Sequence, residues 1–284
     1  MRFIFSAVLA VIMIVTAVSP SPANDERGKT GYQSPYAVSF PWPLEELIPD
    51  LLKGKRGEPG KEAKLSESLW YNHNYPWIGP WGPLPRAYKP PKIAEGKSDE
   101  WKRARVIATA LRFLGYYYRH HYIPDWDPPP GWYTPKPGGT RHDGKGVDCS
   151  NFTSFSYNQA LGIGFSSDIR KQAATQQARI NGSSQTISVK VIPRQGSAAE
   201  WERVLKPGDL LFIKPRNGED VSHVVIWIGE WGVPSGQSLI LDSHGADVKD
   251  SSGKMIPAGI YLRPFRVNSW YAANAVHAIR IIGE

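Results

Sequence analysis

The chain has 284 residues, 34 basic against 26 acidic side chains, a formal net charge of +8 and a single cysteine. One cysteine excludes an intramolecular disulfide, and the lack of zinc-finger spacing or a dense basic run excludes the usual nucleic-acid readers. The positive balance suits an anionic surface such as a cell wall, a headgroup layer or another polyanion, although ordinary solubility produces the same excess.

Met1-Arg2 precedes an apolar run from Phe3 to Val18, followed by Ser19-Pro20-Ser21-Pro22-Ala23-Asn24. The run is too short for a comfortable membrane span, and the small residues Ser21 and Ala23 fit a cleavage site after Ala23. Residues 1–23 therefore read as a secretory signal, with an uncleaved anchor as the alternative. No cysteine follows the run, so a bacterial lipoprotein anchor is excluded. Export to periplasm, cell wall or medium is expected, with no membrane contact after cleavage. About 260 residues then remain, enough for one domain and an extension. A lone thiol in an exported chain points toward a reactive residue.

From Asn24 to Lys97 the sequence is dense in Pro, Gly, Trp and Tyr, as in Phe40-Pro41-Trp42-Pro43 and the run Tyr75 to Pro83. Prolines at this density forbid long helices and interior strands, while the aromatics argue against simple disorder. Residues 24–97 are expected to form an extended arm that wraps a following domain, residues 98–284, with tryptophans filling surface grooves. An aromatic ligand platform or a propeptide over the active cleft is the alternative. Ser98-Asp99-Glu100 reads as a helix start, and Ala104, Ile107, Ala108, Leu111 and Leu114 keep helical spacing up to Gly115. The adjacent His120 and His121 lack metal-ligand spacing, so no metal and no cofactor are expected.

A turn-forming lead-in (Gly138, Gly139, His142, Asp143, Gly144, Gly146) runs into Val147-Asp148-Cys149-Ser150-Asn151-Phe152. Phe152 and Phe155 share a face, with Ala160 near it, so a helix begins at or just before Cys149, capped by Asp148 or Asp143. A thiol at a helix N-terminus meets unpaired N–H groups and the positive end of the dipole, which favour the nucleophilic thiolate. A buried structural cysteine is the plain alternative. A second helix is predicted near Ser167–Ala178. Strands follow at Thr186–Ile192, Asp209–Lys214, Ser222–Ile228, Ser238–Asp242 and Ala275–Ile282, separated by Lys206-Pro207-Gly208, Asn217-Gly218 and Pro234-Ser235-Gly236. Helices first and meandering strands afterwards predict an α+β domain with helices packed on one side of an antiparallel sheet.

A cysteine nucleophile needs a base, and the base an orienter. His223 begins an apolar strand where valine or isoleucine would be ordinary. Asp242 and His244, two residues apart on the next strand, share a face, so either could meet His223.

Three blocks carry a family resemblance. Gly146-Val147-Asp148-Cys149-Ser150 resembles the cysteine block of NlpC/P60 cell-wall peptidases, and Leu205-Lys206-Pro207-Gly208-Asp209-Leu210 their strand-opening motif. Ser222-His223-Val224-Val225-Ile226-Trp227-Ile228-Gly229 resembles their histidine strand. The resemblance, over roughly Ser98 to Glu284, implies a papain-like α+β core with Cys149 as nucleophile, His223 as base and Asp242 or His244 as orienter. It further implies hydrolysis of amide bonds in the peptide stems of peptidoglycan by a thiol protease; a monomer is expected. Asn151 and Val225 stand where the family has glycine. Tyr118, three residues after Gly115, fits a tyrosine that supports the cysteine, with Tyr122 as rival. Asp148, Ser150 and Ser222 flank the pair and are expected, with Tyr118, to bind substrate. A transglutaminase-like acyl transferase and a non-catalytic wall-binding module are the competing readings.

Overall fold

The structure is a computed structural model that describes residues 32–52, 86–118, 147–215, 217–234, 236–250 and 252–283, and the backbone alone of 17–18, 74–75 and 79–80. The rest of the apolar leader, Trp70, Trp77 and Trp81 of the aromatic arm, the adjacent His120 and His121, Tyr122 and the lead-in from Gly138 to Gly146 lie outside the described residues.

A six-stranded antiparallel sheet organises the domain. Its strands are β1 (Lys190–Pro193), β2 (Leu210–Ile213), β3 (His223–Gly229), β4 (Leu239–His244), β5 (Gly259–Pro264) and β6 (Ala275–Arg280). In space they run β5-β4-β3-β2-β6-β1. The central strand β3 is buried along its whole length, which is why it reads as a continuous apolar run instead of an alternating one. Its opening histidine is the exception in that run.

Helix α1 (Asp99–Leu111) starts at Ser98, whose side chain accepts the Trp101 N–H, and α2 (Cys149–Leu161) starts at Asp148, whose side chain accepts the Asn151 N–H. Both helices behave as their caps predict. Gly162, at φ 67°, ends α2 in the left-handed region, where a side chain would collide with the Pro90 backbone. The predicted helix near Ser167–Ala178 is shorter than expected. Asp168 caps α3 (Ile169–Ala173), and Gln177–Ile180 pairs instead as a strand with Thr186–Ser188. Two further short helices, α4 (Ala198–Glu202) and α5 (Trp270–Asn274), and the strand β5 were not anticipated.

Strand alternation divides the sheet's side chains between two layers. Leu210, Phe212, Val224, Ile226, Leu239 and Leu241 join α1 and α2, with Phe113, Phe152 and Phe155, in one core. Leu211, Val225, Trp227 and Ile240 pack with Trp201 of α4 and Tyr271 and Ala272 of α5 in a second. Helices therefore cover both faces, where one-sided packing was expected. Each fully buried apolar side chain contributes roughly 1.5–3 kcal/mol to this arrangement.

Helix α2 departs from an amphipathic pattern because all 13 of its residues are buried. Most of its polar side chains find partners, several of them on other segments: Asn158 accepts the Tyr88 N–H and donates to the Arg86 carbonyl, and Thr153 donates to Gln172, while Asn151 Oδ1 is buried without one. Part of the predicted arm completes the core, since Tyr36, Val38, Phe40, Leu47 and Ile48 are buried in the α1–α2 cluster. Buried Arg105 fastens this segment by donating to the Leu47 carbonyl and, through a two-pronged pair, to Asp50. Among the described residues, no helix is long and apolar enough to cross a membrane.

Candidate active site

The start of α2 is held from three sides. Asp148 caps it, accepting also from the Asn151 side chain at 2.8 Å and the Ser150 hydroxyl at 3.3 Å. Gln172, fully buried on α3, donates to the carbonyls of Ser150 and Ser166 at 3.0 Å each. From β4, Ser243 donates to the Val147 carbonyl at 2.6 Å. Cys149, the single cysteine, is thereby fixed at the helix N-terminus beside the sheet, buried but reaching the end of β3.

His223 opens β3 opposite Ile213 of β2. The register between β3 and β4 sets Ile226 opposite Leu241 and Trp227 opposite Ile240. At the end of these strands His223 Nε2 lies 2.8 Å from Asp242 Oδ1, while the His244 ring stands edge-on at 5.3 Å between centroids. His244 turns its Nδ1 to the backbone of Ala246 instead.

The fully buried Asp242 divides its oxygens. Oδ1 takes His223, and Oδ2 accepts the Tyr271 hydroxyl at 2.6 Å, with Arg263 Nε at 3.7 Å. Burial opposes ionisation of Asp242, but His223, with smaller help from His244 and Arg263, brings its pKa down to about 2. Burial likewise opposes charge on His223. The Asp242 carboxylate and Cys149 outweigh it, by charge and by hydrogen bonding, and hold the imidazole pKa up to about 10. Burial takes His244 below its ordinary value, against the pull of Asp242. Near neutrality the ring between Cys149 and Asp242 is thus charged and the ring beside it is not.

Tyr118 also reaches this cluster. Burial first, then the charges of Cys149, Asp148 and Asp242 and a hydrogen bond to Cys149, hold its phenol well above the usual range. Its ring lies against Gly245, where a side chain would meet it at 3.2 Å. Gly259, at φ 122°, lets β5 close on the Tyr116 carbonyl, which bonds the Ile260 N–H at 2.8 Å and so brings this segment to the site. Of the remaining expected substrate contacts, Ser150 is tied to Asp148, and Ser222 stands exposed beside His223. Asp209 of the strand-opening motif is remote from this chemistry. It is buried, accepts the Arg280 guanidinium through both oxygens and caps the Lys206 N–H, which ties β2 to β6.

Four residues of the site escaped sequence reading: Ser243, Arg263, Trp270 and Tyr271. Ser269 before Trp270-Tyr271-Ala272 is a helix-capping signal, and its side chain does accept the Ala272 N–H. Arg263 interrupts an apolar alternation with a charge. Trp270, 41% exposed, walls the site with its ring 5.7 Å from His223 and 5.8 Å from His244. His223, Asp242 and His244 each offer one metal-ligand atom within 4.8 Å of the others, and their types suit zinc. Both Asp242 oxygens and one nitrogen of each imidazole are already engaged by protein partners, so hydrogen bonding alone accounts for the group.

The NlpC/P60 family model matches residues 136–256, a segment that contains Cys149, His223, Asp242 and His244. Members of that family are generally cell-wall peptidases. Among solved structures, the chain is similar to an NlpC/P60 family protein from Bacillus cereus, at 20% identity and a TM-score of 0.37. The aligned part covers 64% of this chain and 40% of that one. No curated protein matches the chain.

Proposed function

From the NlpC/P60 match over residues 136–256, we propose that the protein is an exported cysteine endopeptidase or amidase that hydrolyses peptide-stem amides of peptidoglycan. The observation that carries the proposal is the convergence of Cys149, His223 and Asp242 from one helix and two neighbouring strands. In it His223 Nε2 lies 2.8 Å from Asp242 Oδ1, and Cys149 is close enough to act on the imidazole by charge and hydrogen bonding.

In this reading His223 already holds the proton of the thiol–imidazole pair, and Cys149 Sγ attacks the scissile carbonyl carbon. The oxyanion forms at the start of α2, where the Cys149 backbone N–H and the helix dipole favour negative charge. His223 then gives its proton to the leaving amine as the C–N bond breaks, leaving a thioester on Cys149. Water, deprotonated by His223, attacks the thioester, releases the carboxylic acid and restores the thiol. Asp242 keeps its charge throughout, orienting the ring and stabilising imidazolium. Tyr118 donates to the sulfur, Trp270 forms one wall of the substrate site, and Asp148 and Ser150 shape its floor at the helix start. The leader of residues 1–23 takes the protein to the wall, and the excess of positive charge suits that polyanionic surface.

The test is incubation of the purified protein and its Cys149→Ser variant with defined muropeptides, read by product mass. Cleavage at a stem amide by the wild type alone supports the proposal. Transfer of the acyl group to an added amine in preference to water supports an acyl transferase instead. Wall binding by both proteins without cleavage by either would overturn the peptidase.

A further inference from the structure

Asp242 can orient His223 only while its carboxylate is itself held. The terminal torsion of an aspartate is broad and roughly two-fold, so a carboxylate bonded through one oxygen retains freedom to rotate. Here the second oxygen is engaged. Tyr271 donates to Oδ2 at 2.6 Å from α5, a helix on the far side of β4 from Cys149. Among the described residues, Tyr271 is the hydrogen-bond donor to that oxygen, since Arg263 Nε stands off at 3.7 Å without any such partner of its own. Arg263 Nη2 donates to the carbonyls of Pro257 at 2.8 Å and Gly259 at 3.2 Å and Nη1 to that of Ile256 at 3.5 Å, which keeps the guanidinium at that distance. Tyr271 is buried against the second core and its ring also packs 6.0 Å from that of His244.

We propose that Tyr271 is a positioning residue of the site, acting through Asp242: its hydroxyl locks the carboxylate so that Oδ1 stays aimed at His223 Nε2. Tyr271 and Arg263 both lie beyond residue 256, outside the segment that the family model matches, so the inference comes from contacts in this chain and not from that match. It rests on the Cys149–His223–Asp242 reading above. Removing the hydroxyl leaves Arg263 as the remaining attraction on Oδ2. The carboxylate then swings toward the guanidinium and the His223 bond lengthens. Substrate does not touch Tyr271, so the loss falls on turnover and not on binding.

The experiment compares wild type, Tyr271→Phe, Asp242→Asn and the double variant. Muropeptide cleavage should show kcat lowered about tenfold in Tyr271→Phe with KM within about twofold, and no further loss beyond about twofold when Tyr271→Phe is added to Asp242→Asn. Independently of turnover, the Nε2–H proton of His223 should give a downfield NMR resonance in histidine-labelled wild type that shifts or broadens in Tyr271→Phe. An unchanged kcat, losses that multiply in the double variant, or an unmoved resonance would each overturn the inference. If wild type cleaves nothing while the resonance still moves, the peptidase reading falls and the positioning role stands. Should Tyr271→Phe fail to fold, difluorotyrosine placed at 271 by codon suppression supplies a stronger donor. An unmoved resonance there counts against the proposal equally.

Discussion

The Ser243 hydroxyl donates to the Val147 carbonyl at 2.6 Å, both groups buried, across 96 residues of chain. Strand alternation sends Asp242 to one side of β4 and Ser243 to the other. The same strand therefore holds the imidazole on one face and the approach to the Cys149 helix on the other. Ser243→Ala leaves a buried carbonyl without its partner, a cost of about 1–3 kcal/mol. Thermal unfolding should register that loss, and muropeptide turnover should fall further than in a surface control of equal stability, because Cys149 sits two residues from the lost anchor.

Asp242 and His244 make different predictions although they share a strand face. Asp242→Asn should lower kcat by about 100-fold or more, since the imidazolium loses its counter-charge. His244→Ala should cost under about tenfold, through lost ring packing against His223 and Trp270. Steady-state kinetics of the two variants side by side decide the matter. A larger loss from His244→Ala would move the orienting role to that residue.

The pair also predicts a pH signature in stability. The folded-state pKa of His223, near 10, lies above the ordinary 6.5, so its contribution is complete below 6.5 and is lost as pH rises toward 10. Asp242, brought from 3.8 to about 2, contributes above 3.8 and loses its share as pH falls through 2. Denaturant unfolding across this range should give a plateau between about pH 4 and 6.5 with a decline on the alkaline side. In Asp242→Asn the alkaline decline should flatten.

Arg105 predicts the fate of the N-terminal segment. Its side chain, fully buried, joins the carbonyls of Leu47 and Ala160 and the Asp50 carboxylate at 2.6–2.8 Å. Arg105→Ala strands two backbone acceptors and should destabilise by about 2–4 kcal/mol. Hydrogen exchange should accelerate first at residues 44–52 and at the C-terminal end of α2. Uniform acceleration across the domain would contradict this local anchoring.

Much of this domain was legible in its sequence because the relevant signals are local. Ser98 and Asp148 announce the helices they cap, and the apolar run from Val224 to Ile228 marks a buried strand that opens on its histidine. Those signals depend on backbone donors and side-chain periods within a few residues, so neighbours in the chain suffice to read them. The short pieces were harder. Strand β5 mixes Arg263 and Tyr261 with Ile260 and Leu262, and α5 has only five residues, too few for a period to emerge.

The choice between Asp242 and His244 could not be made from spacing, because a shared face permits both. Folding brings Asp242 to His223: His244 is drawn to the Ala246 backbone, while Tyr271 and Arg263, 29 and 21 residues further on, surround the carboxylate. Sequence alone determined which residue types are available and, for Cys149, His223 and Asp242, on which helix or strand each one sits. Tertiary structure alone decided which of them touch, because a buried charge takes its partners from whatever elements pack around it, however distant in the chain.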